Sequence, residues 1–91
     1  MDELNDQPEG LTFPCEFPVK AMGPVDSGLP EAVRHIVSQH APEISEAHLH
    51  TAHSSGGRFM SVTVTITARS RDQLDAIYAD LQAHDGVLAT L

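Results

Sequence analysis

The chain has 91 residues, which is enough for one small domain and too few for a second hydrophobic core. Its 13 acidic and 5 basic residues give a formal net charge of −8, so binding to nucleic acid or to an anionic membrane is disfavoured. Cys15 is the single cysteine, which excludes an intramolecular disulfide and a zinc site built from four thiolates.

Residues 1–12 are acidic and hold few aliphatic side chains, and we expect a mobile tail there. Residues 13–91 are predicted to form a single domain. No apolar run approaches the ~18 residues that a membrane-spanning helix needs. The start of the sequence also lacks the basic and apolar stretches of a signal peptide. We therefore expect a cytoplasmic protein.

The first strand is predicted over residues 15–23, because apolar side chains alternate there with polar ones. Residues 23–28 are rich in Gly, Pro, Asp and Ser, which indicates a loop. A helix is expected over residues 29–41. Pro30 suits its first turn, and Pro42 disfavours a helical conformation in the residue before it.

A hairpin is predicted from residues 47–54 and 58–69, which alternate with period two on either side of the turn sequence SSGG. Aliphatic side chains of the second strand point to one face of the sheet. A row of hydroxyl side chains points to the other face and consists of Ser61, Thr63, Thr65 and Thr67. One face is therefore expected to be buried and the other exposed to solvent.

The last helix is predicted to begin after Ser70, with Gln73 at the capping-box position, and to end at Gly86. Residues 87–91 follow as a short strand. The resulting order, β-α-β-β-α-β, predicts an α+β ferredoxin-like sandwich, in which two helices cover one face of a four-stranded antiparallel sheet. Right-handed crossovers place the first and third strands in the middle and the histidine-containing strand at an edge.

His48 and His50 are the candidate metal ligands, because side chains two residues apart on a strand share a face. A zinc site needs a third ligand, and His53 has the opposite parity. Threonine and serine are poor zinc ligands. The favoured interpretation is that these histidines are solvated residues of an edge strand, and metal binding by His48 and His50 is the alternative.

No motif of a metalloprotease, a phosphate-binding loop, a dinucleotide-binding fold or a hydrolase nucleophile occurs in the chain. We therefore expect that the protein is not an enzyme and holds no cofactor.

Several short motifs occur together: FP at 13–14, F..K.MG at 17–23, HAP at 40–42 and SSGG.F.SVTVTI at 54–66. With them, the chain resembles the YbeD-like family of small bacterial proteins of unknown function over residues 13–91. The resemblance implies a ferredoxin-like fold similar to the ACT domains, which bind amino acids or other small effectors, regulate enzymes and often pair their sheets between subunits. It implies no catalytic residue.

Two functional hypotheses remain besides metal binding. In the first, the protein is a noncatalytic regulatory or interaction module of ACT-like type, whose hydroxyl row contacts a protein partner or a second copy of the chain. In the second, it binds a small effector such as an amino acid or another carboxylate. Gly23 would let the ligand approach the backbone, while Ser27 and Lys20 would hold the carboxylate.

Overall fold

The computed structural model describes residues 11–90, and the elements of this range follow the predicted order. The elements are β1 (Cys15–Pro24), α1 (Leu29–Ser38), β2 (Leu49–His53), β3 (Phe59–Ala68), α2 (Arg71–Ala83) and β4 (Ala89–Thr90). A 3-10 turn at Glu46–His48 precedes β2. Residues 1–10 of the predicted tail lie outside the described residues. Leu11, which was assigned to that tail, is half-buried and packs against the core.

The four strands form one antiparallel sheet in the order β2-β3-β1-β4. The predicted ferredoxin-like architecture is therefore confirmed, with β1 and β3 in the middle and the histidine-containing β2 at one edge. The longest ladder joins β1 and β3 over ten residue pairs, from Cys15 with Ala68 to Pro24 with Phe59. Strand β4 is much shorter and pairs only with Ala21 and Met22.

The core lies between the sheet and the two helices, and its fully buried side chains are all apolar. The sheet contributes Val19 and Ala21 of β1 and Met60, Val62, Val64, Ile66 and Ala68 of β3. Helix α1 contributes Leu29, Val33 and Val37, and α2 contributes Leu74, Ile77 and Leu81. Burial of each large aliphatic side chain stabilises the fold by about 1.5–3 kcal/mol before the entropy of ordering is subtracted.

Helix α1 begins as predicted and ends slightly earlier. Proline occupies its first turn, where the missing N–H costs no intrahelical bond. The regular helix ends at Ser38, and the chain then tightens into a 3-10 turn, with the His40 N–H bonded to the Val37 carbonyl at 3.0 Å. The Ala41 N–H also reaches that carbonyl, at 2.8 Å, so the predicted limit near Ala41 marks the end of this turn.

Helix α2 has the predicted N-terminal cap and a different C-terminus. The Ser70 hydroxyl oxygen accepts a hydrogen bond from the Gln73 N–H at 3.1 Å. The helix ends at Ala83, whereas the sequence predicted an end at Gly86. Gly86 instead donates its N–H to Nδ1 of His84 at 3.0 Å, which closes the turn between α2 and β4.

The carbonyl of Gly86 lies directly against Gly23 of β1. A Cβ atom built at Gly23 would stand 2.1 Å from the Gly86 oxygen, which no side chain can accommodate without a backbone shift. This contact explains the glycine at position 23, because only a residue without Cβ lets the α2–β4 turn close on the sheet.

We predict that Gly23→Ala destabilises the protein by about 1–3 kcal/mol, which is the usual cost of forcing an extra methyl group into a packed contact. For a domain of this size, the melting temperature should fall by about 4–8 °C per kcal/mol. Thermal denaturation followed by circular dichroism measures the shift. Gly56→Ala is the matched control, since nothing lies within 4 Å of a Cβ at Gly56 and its φ is not positive. Equal melting temperatures for the two variants would contradict the packing argument.

Candidate functional site

The face of the sheet that points away from the helices is covered by no other element of residues 11–90, and we call it the open face. Strand pairing assigns its side chains, because cross-strand partners share a face. The open face consists of Glu16, Pro18, Lys20, Met22, Pro24, His50, Ala52, Phe59, Ser61, Thr63, Thr65, Thr67 and Ala89. The predicted hydroxyl row therefore lies opposite the helices, and its contact with a partner stays a prediction.

One end of the open face is apolar. Three large hydrophobic side chains are exposed in the described range: Met22 by 36%, Phe59 by 38% and Leu88 by 60%. Met22 and Phe59 lie at this end of the open face, since they pair with Ser61 and Pro24 on neighbouring rungs of the ladder. The main chain of Leu88 is close by, because its N–H bonds to the Met22 carbonyl at 2.8 Å. A shallow depression lined in part by Met22, Ala52 and Phe59 lies there.

The rest of the open face is polar and has no net charge. Glu16 and Lys20 are its two charged residues, and each faces a threonine of β3 across the ladder, Thr67 and Thr63. No carboxylate of residues 11–90 forms an ion pair with Lys20. The described range carries nine acidic and five basic residues, a net charge of −4, so all of this excess lies away from the open face.

The predicted effector site is not assembled by the fold. Lys20 points to the open face, whereas Gly23 is buried on the helix side under the Gly86 carbonyl. The Ser27 hydroxyl donates a hydrogen bond to the Pro24 carbonyl at 2.7 Å. The Gly86 carbonyl therefore fills the space beside Gly23 through which a ligand was expected to approach. Binding of a small effector by these residues stays a prediction.

The two candidate metal ligands lie in different local structures. The sequence placed His48 on the strand, but β2 begins at Leu49, and His48 ends the 3-10 turn that precedes it. Its Nδ1 accepts a hydrogen bond from the Ser45 N–H at 3.0 Å, so the ring caps this turn. His50 lies on the open face beside Thr63, and His53 has the parity of Met60 on the other side. Within residues 11–90, no group of three or more His, Cys, Asp or Glu side chains could share a metal ion.

The two arginines near the N-terminus of α2 are engaged in surface ion pairs. Arg69 lies 3.2 Å from Glu43, and Arg71 lies 3.7 Å from Asp75. Such exposed pairs contribute at most about 1 kcal/mol each. Since both arginines already face carboxylates, the N-terminus of α2 offers no free pair of cations for an anion. No polar or charged side chain of residues 11–90 is buried.

Tyr78 protects the part of β1 that β4 is too short to cover. Its ring packs edge-on against Phe17, with centroids 6.5 Å apart, and it forms a hydrogen bond with the main chain of Lys20. Burial raises the pKa of the Tyr78 hydroxyl, and the Lys20 backbone bond opposes part of this rise. Next to β4, the main chain of Lys20 is therefore bonded by a helix side chain rather than by a strand.

The sequence-based site included the hydroxyl row and missed its apolar neighbours. Met22, Phe59 and Ala89 are not part of the site that the sequence predicts. These residues lie together because of the register in which β1 pairs with β3 and β4, and β3 pairs with β2. Alternation within one strand gives a side chain's face, whereas only the pairing gives its neighbours.

The chain matches a family described as protein of unknown function (DUF493) over residues 8–91. A UPF0250 protein of Chromobacterium violaceum is 41% identical over 87 residues, which cover 96% of this chain and 98% of that protein. A UPF0250 protein of Pseudomonas aeruginosa is 45% identical over 83 residues, which cover 90% of this chain and 89% of that protein. The resemblance to small bacterial proteins of unknown function is therefore confirmed.

A solved structure with the same fold is the solution structure of protein HP0495 from H. pylori. It superposes with a TM-score of 0.70 and 14% sequence identity, over 100% of this chain and 94% of that one. At this identity the match supports the fold alone. No helix of residues 11–90 is long and apolar enough to cross a membrane.

Because Tyr78 is the single tyrosine and the chain has no tryptophan, tyrosinate absorbance reports on this residue alone. We predict that its titration midpoint in the folded protein lies above the ordinary value of 10.0. The folded state then holds its proton at a pH where the unfolded chain has lost it, so stability falls as pH rises from about 10 through the raised folded pKa. Urea unfolding across this pH range measures the loss of stability. The Tyr78→Phe variant should lack the part of this loss that comes from ionisation of the phenol. An unshifted midpoint would show that the hydroxyl is fully hydrated.

Neither zinc nor EDTA is expected to shift the melting temperature, because His48 and His50 are held in separate local structures. An ion that bound the folded protein would stabilise it by mass action. The double variant His48→Ala, His50→Ala should show the same insensitivity, even though loss of the His48 cap lowers its own melting temperature. The metal-binding alternative would be supported if zinc raised the melting temperature of the natural protein and not that of the double variant.

Proposed function

This chain belongs to the DUF493 family, and we propose that it acts as a noncatalytic regulatory or interaction module that binds another protein chain through its open face. The observation that carries the proposal is the composition of that face. It combines an exposed apolar end at Met22 and Phe59 with a row of hydroxyls and no net charge, on a chain that is otherwise strongly acidic.

Such a face suits contact with a protein. The apolar end supplies surface whose removal from water is favourable, at about 25 cal/mol per Å². The hydroxyls of Thr63 and Thr65 can donate or accept hydrogen bonds, so they remain hydrated in the free chain and find partners in a complex. The absence of net charge lowers the cost of bringing a second, acidic surface close to this one.

The noncatalytic part of the proposal is supported by the chemistry of the described side chains. Active sites need groups whose pKa values are shifted by burial or by close charges. In residues 11–90 the buried side chains are all apolar, and the arginines in ion pairs lie at the surface. Tyr78, whose pKa is raised by burial, packs against Phe17 and bonds to the main chain of Lys20. The proposal keeps the cytoplasmic setting that the sequence predicts.

Thr65→Lys is the variant that tests this function, because it places an unpaired ammonium group at the centre of the open face. The tagged chain and the variant are used to capture partners from an extract of the bacterium that encodes it, and recovery is compared by quantitative mass spectrometry. We expect recovery of a specific partner to fall at least about tenfold, since an unpaired charge in an interface costs more than about 1.4 kcal/mol.

The matched control is Ala79→Lys, which adds the same charge on the exposed side of α2, in the layer behind the sheet. Its capture profile should equal that of the natural chain. Circular dichroism must show that both variants keep the same melting temperature within a few degrees. A partner that is lost with Ala79→Lys and kept with Thr65→Lys would place the binding surface on the helices and overturn the proposal.

A further inference from the structure

On the open face each residue of β1 lies beside one residue of β3, and we call such a pair, with its neighbours on the edge strands, a level. At three levels the two central residues differ clearly in size. Ser61 lies beside Met22, Thr63 beside Lys20, and Phe59 beside Pro24. The level of Met22 extends to the edge strands and ends in two small residues, Ala52 on β2 and Ala89 on β4. If a second such sheet is laid over this face with β1 and β3 exchanged, a larger side chain of one sheet lies over a smaller one of the other at the three levels of the central strands.

From this pattern we propose that the partner of the open face is a second copy of the same chain, bound about a two-fold axis that runs parallel to the strands between β1 and β3. The proposal rests on the proposed function and names its partner. In a two-fold interface, residue i of one copy meets residue j of the other, and j meets i in return. The rotation places each level of one copy over the same level of the other copy, so that β1 lies over β3 and β2 lies over β4.

The resulting contacts are complementary in size. Ser61 of one copy faces Met22 of the second copy, and the reverse contact repeats it. At the same level Ala52 faces Ala89, so the edges of the two sheets approach through methyl groups. The apolar ends thus cover each other, as the inner faces of stacked sheets do when they pack about 10 Å apart.

The contacts are also complementary in charge. Lys20 of one copy faces Thr63 of the second copy, whose hydroxyl can accept a hydrogen bond from the ammonium group. Glu16 likewise faces Thr67, whose hydroxyl can donate to the carboxylate. No like charges meet on this axis, although the two chains repel each other over the rest of their acidic surfaces. The open face is therefore a surface by which two copies can approach at a low electrostatic cost.

The area is consistent with a weak dimer. Strands β1 and β3 each have ten residues. At ~3.3 Å per residue and ~4.8 Å between strands, the open face measures roughly 33 Å by 15–20 Å. Pairing would bury on the order of 1,000 Å² in total, which is near the lower limit for specific interfaces and typical of transient ones. We therefore expect a reversible dimer whose population depends on concentration.

The other in-plane two-fold axis, which runs across the strands, fits less well. Centred on the middle level, it would place Lys20 against Lys20 of the second copy. Moved towards the apolar end, it would place Met22 against Met22 and leave the level of Glu16 and Thr67 uncovered. These different pairings give the two axes different cross-linking patterns, which makes the orientation measurable.

Disulfide trapping tests the axis. In a Cys15→Ala background, Met22→Cys and Ser61→Cys are prepared as separate single-cysteine variants and oxidised alone and as an equal mixture. The mixture should form the mixed disulfide at least about fivefold faster than either variant forms its own disulfide, because only the mixed pair lies opposite in the proposed dimer. Mass spectrometry separates the three products. The proposed axis would be overturned if the Met22→Cys variant alone formed its disulfide as fast as the mixture forms the mixed disulfide.

Sedimentation equilibrium tests the dimer itself on the natural chain. The apparent mass should rise with concentration, and Thr65→Lys should weaken the association at least about tenfold, while Ala79→Lys leaves it unchanged. A chain that stays monomeric at all concentrations and gives no preferred cross-link would overturn the second copy as partner. If Thr65→Lys still abolished capture of another protein in that case, the proposed function would stand. If it affected neither measurement, both proposals would fall.

Discussion

The register between β1 and β3 is the constraint on which the rest of this structure depends. Ten consecutive residue pairs keep the alternation of the two central strands in phase. A shift by one residue would turn every side chain of a strand to the opposite face, so one register decides both what is buried and what is presented. Val62 and Val64 reach the helices only because Thr63 and Thr65 point away from them. The aliphatic core and the hydroxyl row are thus two consequences of one pairing.

The open face is also coupled to the core through the end of the chain. Strand β4 has two described residues and too few ladder bonds to hold its own position. It is placed by the α2–β4 turn, in which the Gly86 carbonyl packs on Gly23 and the Leu88 N–H bonds to the Met22 carbonyl. That packing brings Ala89 to the level of Met22 and completes the apolar end. A glycine on the core side of β1 therefore helps to position one residue of the opposite face, Ala89.

Most of the fold could be predicted from the sequence because its signals are local. Alternation in β3, the proline in the first turn of α1 and the Ser70 cap each involve residues within one turn or one strand. Of the two features that could not be predicted, one depends on a contact between distant segments and the other on a local cap that competes with the strand alternation. Gly23 suggested space for a ligand, and nothing near it in sequence shows that Gly86 fills that space. His48 continued the alternation of β2, but a hydrogen bond from the Ser45 N–H draws it into a 3-10 turn.

The same distinction applies to the candidate site. The hydroxyl row was visible in a single strand, whereas the apolar end joins Met22, Phe59 and Ala89 from three strands and required the register of the whole sheet. Lys20 illustrates the point most directly. Its parity within β1 assigns it to the face of Pro18 and Met22, whereas the predicted effector site grouped it with the loop at 23–28 because the two are close along the chain. For a strand residue, parity is a stronger guide to its neighbours than distance along the chain.

A face of this composition is suited to exchange rather than to permanent assembly. Hydroxyl groups and one lysine must lose water on contact, and the hydrogen bonds that replace this hydration return only about 0.5–1.5 kcal/mol each. The exposed apolar end supplies the net gain, and it is small. Self-association and binding of another chain would use the same surface and exclude each other. By mass action, the concentration of this chain then sets how much of the open face is free, so a weak dimer would limit partner binding without a change of fold.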